Sequence, residues 1–156
     1  MRLLLQRVSR AEVRVDGEPV GRIGRGLVVL LGVGQSDDES IGAALAAKVV
    51  ALRIFADDAG LTNLSIGDVG GSVLVVSQFT LYADTRKGRR PSFIRAGNPG
   101  LGELLYERFC EQLAALGVAV ERGGFGAEME VDLVNDGPFT IWLDSDELGL
   151  GAKPAG

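Results

Sequence analysis

Two apolar periods alternate along this chain. Ala11, Val13 and Val15 are interleaved with Glu12, Arg14 and Asp16, which predicts a half-buried strand. Asp16-Gly17 then supplies a hairpin signal. Gly26-Leu27-Val28-Val29-Leu30-Leu31-Gly32-Val33 is a continuous apolar run, the pattern of a strand covered on both faces. Here the period changes. Ser36 and Glu39 form a capping-box pattern, and Ile41, Leu45, Val49 and Leu52 follow at helical spacing. The spacing predicts a helix over 37–51.

The middle of the chain returns to strand-like patterns. Leu52 to Phe55 is short and apolar, Asp57-Asp58-Ala59-Gly60 is a turn, and Ser72 to Tyr82 reads as a long central strand. A polar loop covers 84–91. Asn98-Pro99 starts a second helix with proline at its first position. Leu101, Leu105, Phe109, Leu113 and Leu116 form its apolar stripe, and Gly117 stops it. Met129, Val131 and Leu133 then alternate with Glu128, Glu130 and Asp132. Asn135-Asp136-Gly137-Pro138 breaks this last strand before Phe139 to Leu143 resumes it. The class is α+β, with a largely antiparallel, barrel-like β-sheet and two main α-helices. A length of 156 residues fits one domain, expected over 1–145. The tail 146–156 is rich in Gly and Ala, has no periodicity and is expected to be disordered.

Composition narrows the class. Hydrophobic content of 46% with 24% charged residues is that of an ordinary globular protein. No apolar run nears the roughly 20 residues that span a bilayer, and Leu3–Leu5 is too short for a signal peptide. The single cysteine, Cys110, excludes an internal disulfide and points to a reducing, cytoplasmic setting. It lies beside the stripe of the second helix and reads as a packing residue. A net charge of −5 argues against coating long nucleic acid, though not against gripping one short end. The densest basic cluster is Arg86-Lys87-Gly88-Arg89-Arg90, which from spacing alone reads as a solvated loop.

The chain contains no histidine. There can be no Ser-His-Asp triad, no Cys-His pair and no histidine-ligated metal. No CxxC, no GxSxG, no GxGxxG and no GxxxxGK[ST] occurs either. No metal and no cofactor is expected. Any hydrolysis must draw on backbone N–H groups, hydroxyls, carboxylates or the substrate. Ser77-Gln78-Phe79-Thr80 closes the apolar run Gly70 to Val76 and brings two hydroxyls, one amide and a ring to one spot. These are either strand residues of good β-propensity, or a site at a strand that ends or bulges. Gly137-Pro138 is likewise either a turn or a positional device, since proline removes a ladder hydrogen bond.

Together these segments resemble one family. Ser77-Gln78-Phe79-Thr80-Leu81 and Asn135-Asp136-Gly137-Pro138 resemble the two signature motifs of D-aminoacyl-tRNA deacylases. Met1-Arg2 with Gln6-Arg7-Val8, Gly26 to Gly34, Arg53-Ile54-Phe55, Gly70 to Val76 and Arg90-Pro91-Ser92-Phe93 match in the same order. The resemblance covers residues 1–144. It implies a homodimer that cleaves the ester between a D-amino acid and the tRNA 3′-terminal adenosine. It implies that Gly137 and Pro138, joined by a cis peptide bond, enter the partner subunit's site. There their carbonyls would hold the substrate α-amino group and leave no room for an L side chain; glycine would pass. Ser77, Gln78, Phe79 and Thr80 would line the reacting centre, with the Phe79 and Thr80 N–H groups as an oxyanion hole. The ribose 2′-OH would help position or activate water. Thr80 as nucleophile ranks second, because nothing in the sequence supplies a base for it. Arg86, Lys87, Arg89 and Arg90 are the candidate tRNA contacts.

The chain also departs from the family. Leu61-Thr62-Asn63 stands where a methionine often precedes the asparagine, and Phe139 replaces the usual valine after Gly-Pro. The tail beyond Asp144 exceeds the common length. Two rival functions stay open: a non-catalytic RNA-end or nucleotide-binding β-barrel, and a small hydrolase of other acyl esters.

Overall fold

The computed structural model describes residues 1–151. Its elements run β1 (Arg2–Val15), β2 (Glu18–Ile23), β3 (Gly26–Gly32), α1 (Glu39–Ala51), β4 (Phe55–Ala56), β5 (Thr62–Leu64), β6 (Ser72–Ser77), a 3-10 turn (Phe79–Tyr82), α2 (Pro99–Ala115), β7 (Ala119–Arg122) and β8 (Glu130–Asp144). The main sheet has the order β2-β1-β3-β6-β7, with β8 along the other edge of β1.

β1 organises this sheet. Its N-terminal half pairs with β3 and its C-terminal half with β2, while β8 follows it from Arg2 to Arg14. All three ladders are antiparallel. The hairpin at Asp16-Gly17 forms as expected, with both residues at positive φ, 50° and 79°. The pairings β3–β6 and β6–β7 are parallel. Parallel neighbours need a crossover connection, and α1 and α2 lie in those two crossovers. β2 curls back towards β7: a Cβ on Gly21 would meet the Arg122 carbonyl at 2.6 Å. This approach nearly closes the sheet into a barrel.

The core lies on both faces of the sheet. On one, Leu3, Leu5, Leu27, Val29, Leu31, Val73 and Val75 pack against Ile41, Leu45, Val49, Leu105, Phe109 and Leu113 of the helices. On the other, Val8, Ala11, Val13, Ile23, Val28, Leu74 and Val76 fill the barrel. The alternation within β3 and β6 serves both, which is why these runs are apolar throughout. Cys110 is fully buried in the helix-side core, as its packing reading predicts.

Four local readings need correction. Helix α1 is capped by Asp38, whose Oδ1 accepts the Ile41 N–H at 3.0 Å, and not by Ser36. The preceding Asp37 is engaged elsewhere, accepting from the Gly34 N–H and the buried Met1 amino group. Leu52 to Phe55 yields only the two-residue strand β4, paired with β5. Strand β6 stops at Ser77 instead of running to Tyr82. β8 is not broken at Asn135–Pro138. It runs on to Asp144, and the irregularity is taken up in register: Val8 faces Asn135 and Gln6 faces Thr140, so Asp136 to Phe139 bulge out of the ladder.

Part of the tail is ordered. Leu150 donates its N–H to the Ser145 carbonyl at 2.8 Å and packs against the helix-side core. Residues 152–156 lie outside the described residues. Among the described residues, no helix is long and apolar enough to cross a membrane.

Candidate active site

The backbone breaks at the Ser77–Thr80 motif. Ser77 is the last residue of β6 paired with β3, opposite Leu31. Gln78 still donates its N–H to the Leu31 carbonyl at 2.7 Å, but at φ −146° and ψ 76° it leaves the strand path. A 3-10 turn begins at the next residue. Its first internal donor is Leu81, whose N–H reaches the Gln78 carbonyl at 3.2 Å. The first N–H groups of any helix have no partner behind them. Those of Phe79 and Thr80 accordingly donate to no described residue. The reading of Ser77–Thr80 as mid-strand residues therefore gives way to a strand end with two free donors.

These residues line a cavity of about 830 Å³, within the range of small-molecule sites. Its walls come from three further segments, the first being Leu31 and Val33 at the end of β3. Phe93 and Asn98 stand before α2, and Phe125 and Met129 lie between β7 and β8. The Phe79 and Phe93 rings meet edge to face at 5.1 Å. Phe79 is 57% exposed despite this contact, and Ile94 beside it is 76% exposed. Phe125 packs on the Tyr106 ring at 5.8 Å and rests over Gly102, where a Cβ would meet it at 3.3 Å.

Thr80 Oγ1 accepts a hydrogen bond from the Gln78 side-chain amide. An amide N–H cannot take a proton, so this partner orients the hydroxyl without activating it. No carboxylate or amine among the described residues bonds to Thr80.

The Gly137-Pro138 peptide bond is cis. Both residues are exposed, and neither lines the cavity. The loop carrying them is pinned by Asn135 and Arg7. Asn135 Oδ1 accepts the Phe139 N–H at 2.9 Å, and its Nδ2 donates to the Phe139 carbonyl at 3.1 Å. Arg7 donates from Nε to the Asp136 carbonyl at 3.0 Å and from Nη1 to the Ile54 carbonyl at 2.6 Å. Its guanidinium also sits 4.6 Å from the centre of the Phe139 ring.

The basic loop lies apart from the cavity lining. Arg86, though exposed, bonds Asp84 through Nε at 2.9 Å and Nη2 at 2.6 Å. Bonding from the Arg86 side chain and N–H holds the Asp84 carboxyl far below the usual carboxylate range. Lys87, Arg89 and Arg90 are exposed and form no ion pair with a described residue. Cys110 is remote from this chemistry, since burial pushes its thiol up to about 12.

Sequence reasoning missed the apolar walls. Phe125 stands among Gly123, Gly124 and Gly126, where no period exists to read. A single ring set among glycines was the available signal. Arg2 and Arg7 enter the sequence reading only as matching residues, since their partners lie 79 and 129 positions away.

A barrel-backed apolar cavity with hydroxyls and free backbone donors at a strand end has the make-up of a small-molecule site, with no histidine in the chain to serve it. The family model described as D-Tyr-tRNA(Tyr) deacylase matches residues 4–144. The chain is 61% identical over 152 residues to the D-aminoacyl-tRNA deacylase of Thermomicrobium roseum, covering 97% of this chain and 99% of that protein. It is 60% identical over 145 residues to that of Paracoccus denitrificans, covering 93% and 97%. Among solved structures, that of a c-Myc DNA Unwinding Element Binding Protein superposes with a TM-score of 0.87 at 40% identity, covering 93% of this chain and 99% of that one. A probable eukaryotic D-amino acid tRNA deacylase shares the fold, with a TM-score of 0.80 at 21% identity over 91% and 97%. The chain belongs to the D-Tyr-tRNA(Tyr) deacylase family.

Proposed function

We infer that this chain is a D-aminoacyl-tRNA deacylase, a hydrolase that cleaves the ester between a D-amino acid and the tRNA 3′ end. The observation that carries the site assignment is the break at Ser77, which frees the Phe79 and Thr80 N–H groups beside the cavity. Water attacks the ester carbonyl and negative charge gathers on its oxygen. The two N–H groups receive that charge in a pocket whose apolar walls strengthen the interaction. The intermediate collapses and expels the ribose oxygen, which takes up the proton given up by the attacking water, passed on through the 2′-OH or solvent. The neighbouring 2′-OH positions or activates the water. Gln78 holds the Thr80 hydroxyl as part of the lining, not as a nucleophile.

In this proposal two subunits complete each site. Gly137 and Pro138 are exposed and pinned, yet lie outside their own cavity, which suits insertion into a partner's. Their carbonyls hold the substrate α-amino group, so an L side chain finds no room and D-amino acids and glycine pass. Lys87, Arg89 and Arg90, with Arg86 partly offset by Asp84, contact the tRNA backbone. Residues 1–145 carry the activity, and the cytoplasm, where aminoacylated tRNA is used, is the setting.

The test is ester loss from D-Tyr-tRNA and L-Tyr-tRNA. Hydrolysis of the D form alone supports the reading, and equal rates on both overturn the chiral filter. The same assay addresses the rival, a non-catalytic nucleic-acid-binding barrel, which the likeness to a DNA-unwinding-element binding protein favours. Binding without turnover would support that rival.

A further inference from the structure

The 3-10 turn that presents the Phe79 and Thr80 N–H groups is short, and one of its own carbonyls is left over. Ala83 donates its N–H to the Thr80 carbonyl at 3.0 Å. The next residue, Asp84, donates instead to the Ser92 carbonyl at 2.7 Å. The Leu81 carbonyl therefore has no backbone donor to continue the turn. Arg2 takes that place: its Nη1 donates to the Leu81 carbonyl at 2.8 Å.

Three strands prepare this contact. Asp144, Arg2 and Gly32 stand side by side in one row across β8, β1 and β3. Residues in one row share a face of the sheet. Glycine at position 32 leaves that face open, and the turn fills it: a Cβ there would meet the Gln78 carbonyl at 3.0 Å and Leu81 Cβ at 3.1 Å. Arg2 reaches across this gap. Its Nε donates to Asp144 Oδ2 at 2.9 Å, and its guanidinium lies 4.4 Å from the centre of the Tyr82 ring and 5.6 Å from that of Trp142. Both its direction and its plane are thus set, and Asp144 is itself buried.

We propose that Arg2 is a positioning residue for the deacylation: by holding the Leu81 carbonyl it fixes the angle at which the Phe79 and Thr80 N–H groups meet the reacting carbonyl. The proposal rests on the reading that these two donors form the oxyanion hole. Arg2 lies outside the cavity lining, so its effect falls on turnover and not on substrate binding. A misplacement near 1 Å costs on the order of a hundredfold.

The experiment measures kcat and KM for D-Tyr-tRNA in Arg2→Ala and Arg2→Lys. The expected result is a kcat lower by roughly ten- to a hundredfold in Arg2→Ala with KM within about twofold of the parent. Arg2→Lys recovers only part of the loss, because one ammonium cannot make both bonds in the same plane or stack between two rings. Trp142, the single tryptophan, reports the loosened guanidinium as a changed emission spectrum. Should Arg2→Ala fail to fold, Arg2→Lys carries the same test. A parental kcat in Arg2→Lys overturns the proposal, as does a change confined to KM or to melting temperature. A separate pair examines the underlying reading. Phe79→Pro removes one N–H at the first position of the turn, where proline fits, and Phe79→Leu removes the ring but keeps the N–H. Equal kcat in that pair overturns the oxyanion reading itself. Unequal kcat with parental Arg2 variants overturns the role of Arg2 alone.

Discussion

Arg7 and Phe139 face each other across the base of the Gly137-Pro138 loop, with the guanidinium 4.6 Å from the ring centre. The same guanidinium holds the Asp136 and Ile54 carbonyls, so one side chain ties the loop to the β4 region. Phe139 gives the guanidinium a flat ring face to rest on. Where the loop points is therefore decided on β1.

Arg7→Ala tests this directly. Two charged hydrogen bonds and the ring contact disappear together, and Asp136 to Phe139 lose their anchor. Hydrolysis of D-Tyr-tRNA is expected to fall by roughly tenfold or more. If the loop is the chiral filter, the D-to-L preference shrinks as well. Parallel assays with both enantiomers check it. An unchanged preference would place chiral selection elsewhere.

Gly137 is constrained for a second reason. Its φ of 141° lies where side chains rarely go, and a Cβ would approach the Phe139 N at 2.9 Å. Gly137→Ala is expected to cost about 1–3 kcal/mol of stability. Thermal melting reads that cost. Light scattering of the parent, expected near twice 16.4 kDa for a C₂ pair, tests whether the loop has a partner to enter. A fully active monomer would refute the shared site.

Thr80→Ala separates the two mechanisms. The substitution keeps the backbone N–H and removes only the hydroxyl that accepts from Gln78. A loss below about tenfold in kcat is expected, since a backbone donor is worth more than an orienting contact. Complete loss in a folded, tRNA-binding variant would restore Thr80 as nucleophile.

The strands of this fold were legible because period-two alternation and the Asp16-Gly17 turn are local signals. The parallel pairings were not. They are set by crossovers through α1 and α2, and no local period distinguishes a parallel from an antiparallel buried strand. Beyond Ser77 the sequence still reads as strand because Phe79, Leu81 and Tyr82 are good strand residues. They turn away because Gly32 opens the floor beneath them and Arg2 caps the turn. Ser77–Thr80 was visible as a motif, while Met129 read only as a strand residue, Phe93 only as part of a matching segment, and Phe125 sits among glycines that carry no period.

Cys110 offers a prediction with a definite sign. Its thiol is raised from 9.0 to about 12, chiefly by burial. The folded state thus favours the protonated form, and this contribution is complete below pH 9 and is lost as pH climbs from 9 towards 12. Melting temperature should decline over that window. A thiol reagent at pH 8 should leave Cys110 unmodified in the native protein and label it after denaturation. Rapid native labelling would contradict its burial.

The cations of the basic loop are not equivalent. Arg86 and Lys87 are adjacent in sequence and would seem the natural pair to neutralise. Arg86, however, is spent on Asp84 through two side-chain bonds. Lys87 and Arg89 are free of described partners, so their charges face solvent undiminished. Each phosphate contact adds about one unit to the salt slope of binding. Lys87→Ala with Arg89→Ala is expected to raise KM for D-aminoacyl-tRNA and to flatten that slope by up to about two units. Arg86→Ala acts differently: it removes one positive charge and exposes the Asp84 carboxylate to the approaching phosphates. Its KM should rise by more than one lost contact explains, and adding Asp84→Asn should return part of it. None of these variants should alter the D-to-L preference if, as proposed, the filter lies in the Gly137-Pro138 loop. The measurement is KM over a salt series for each variant. A double variant with the parental KM and slope would leave the loop as solvated surface and route the tRNA across another face.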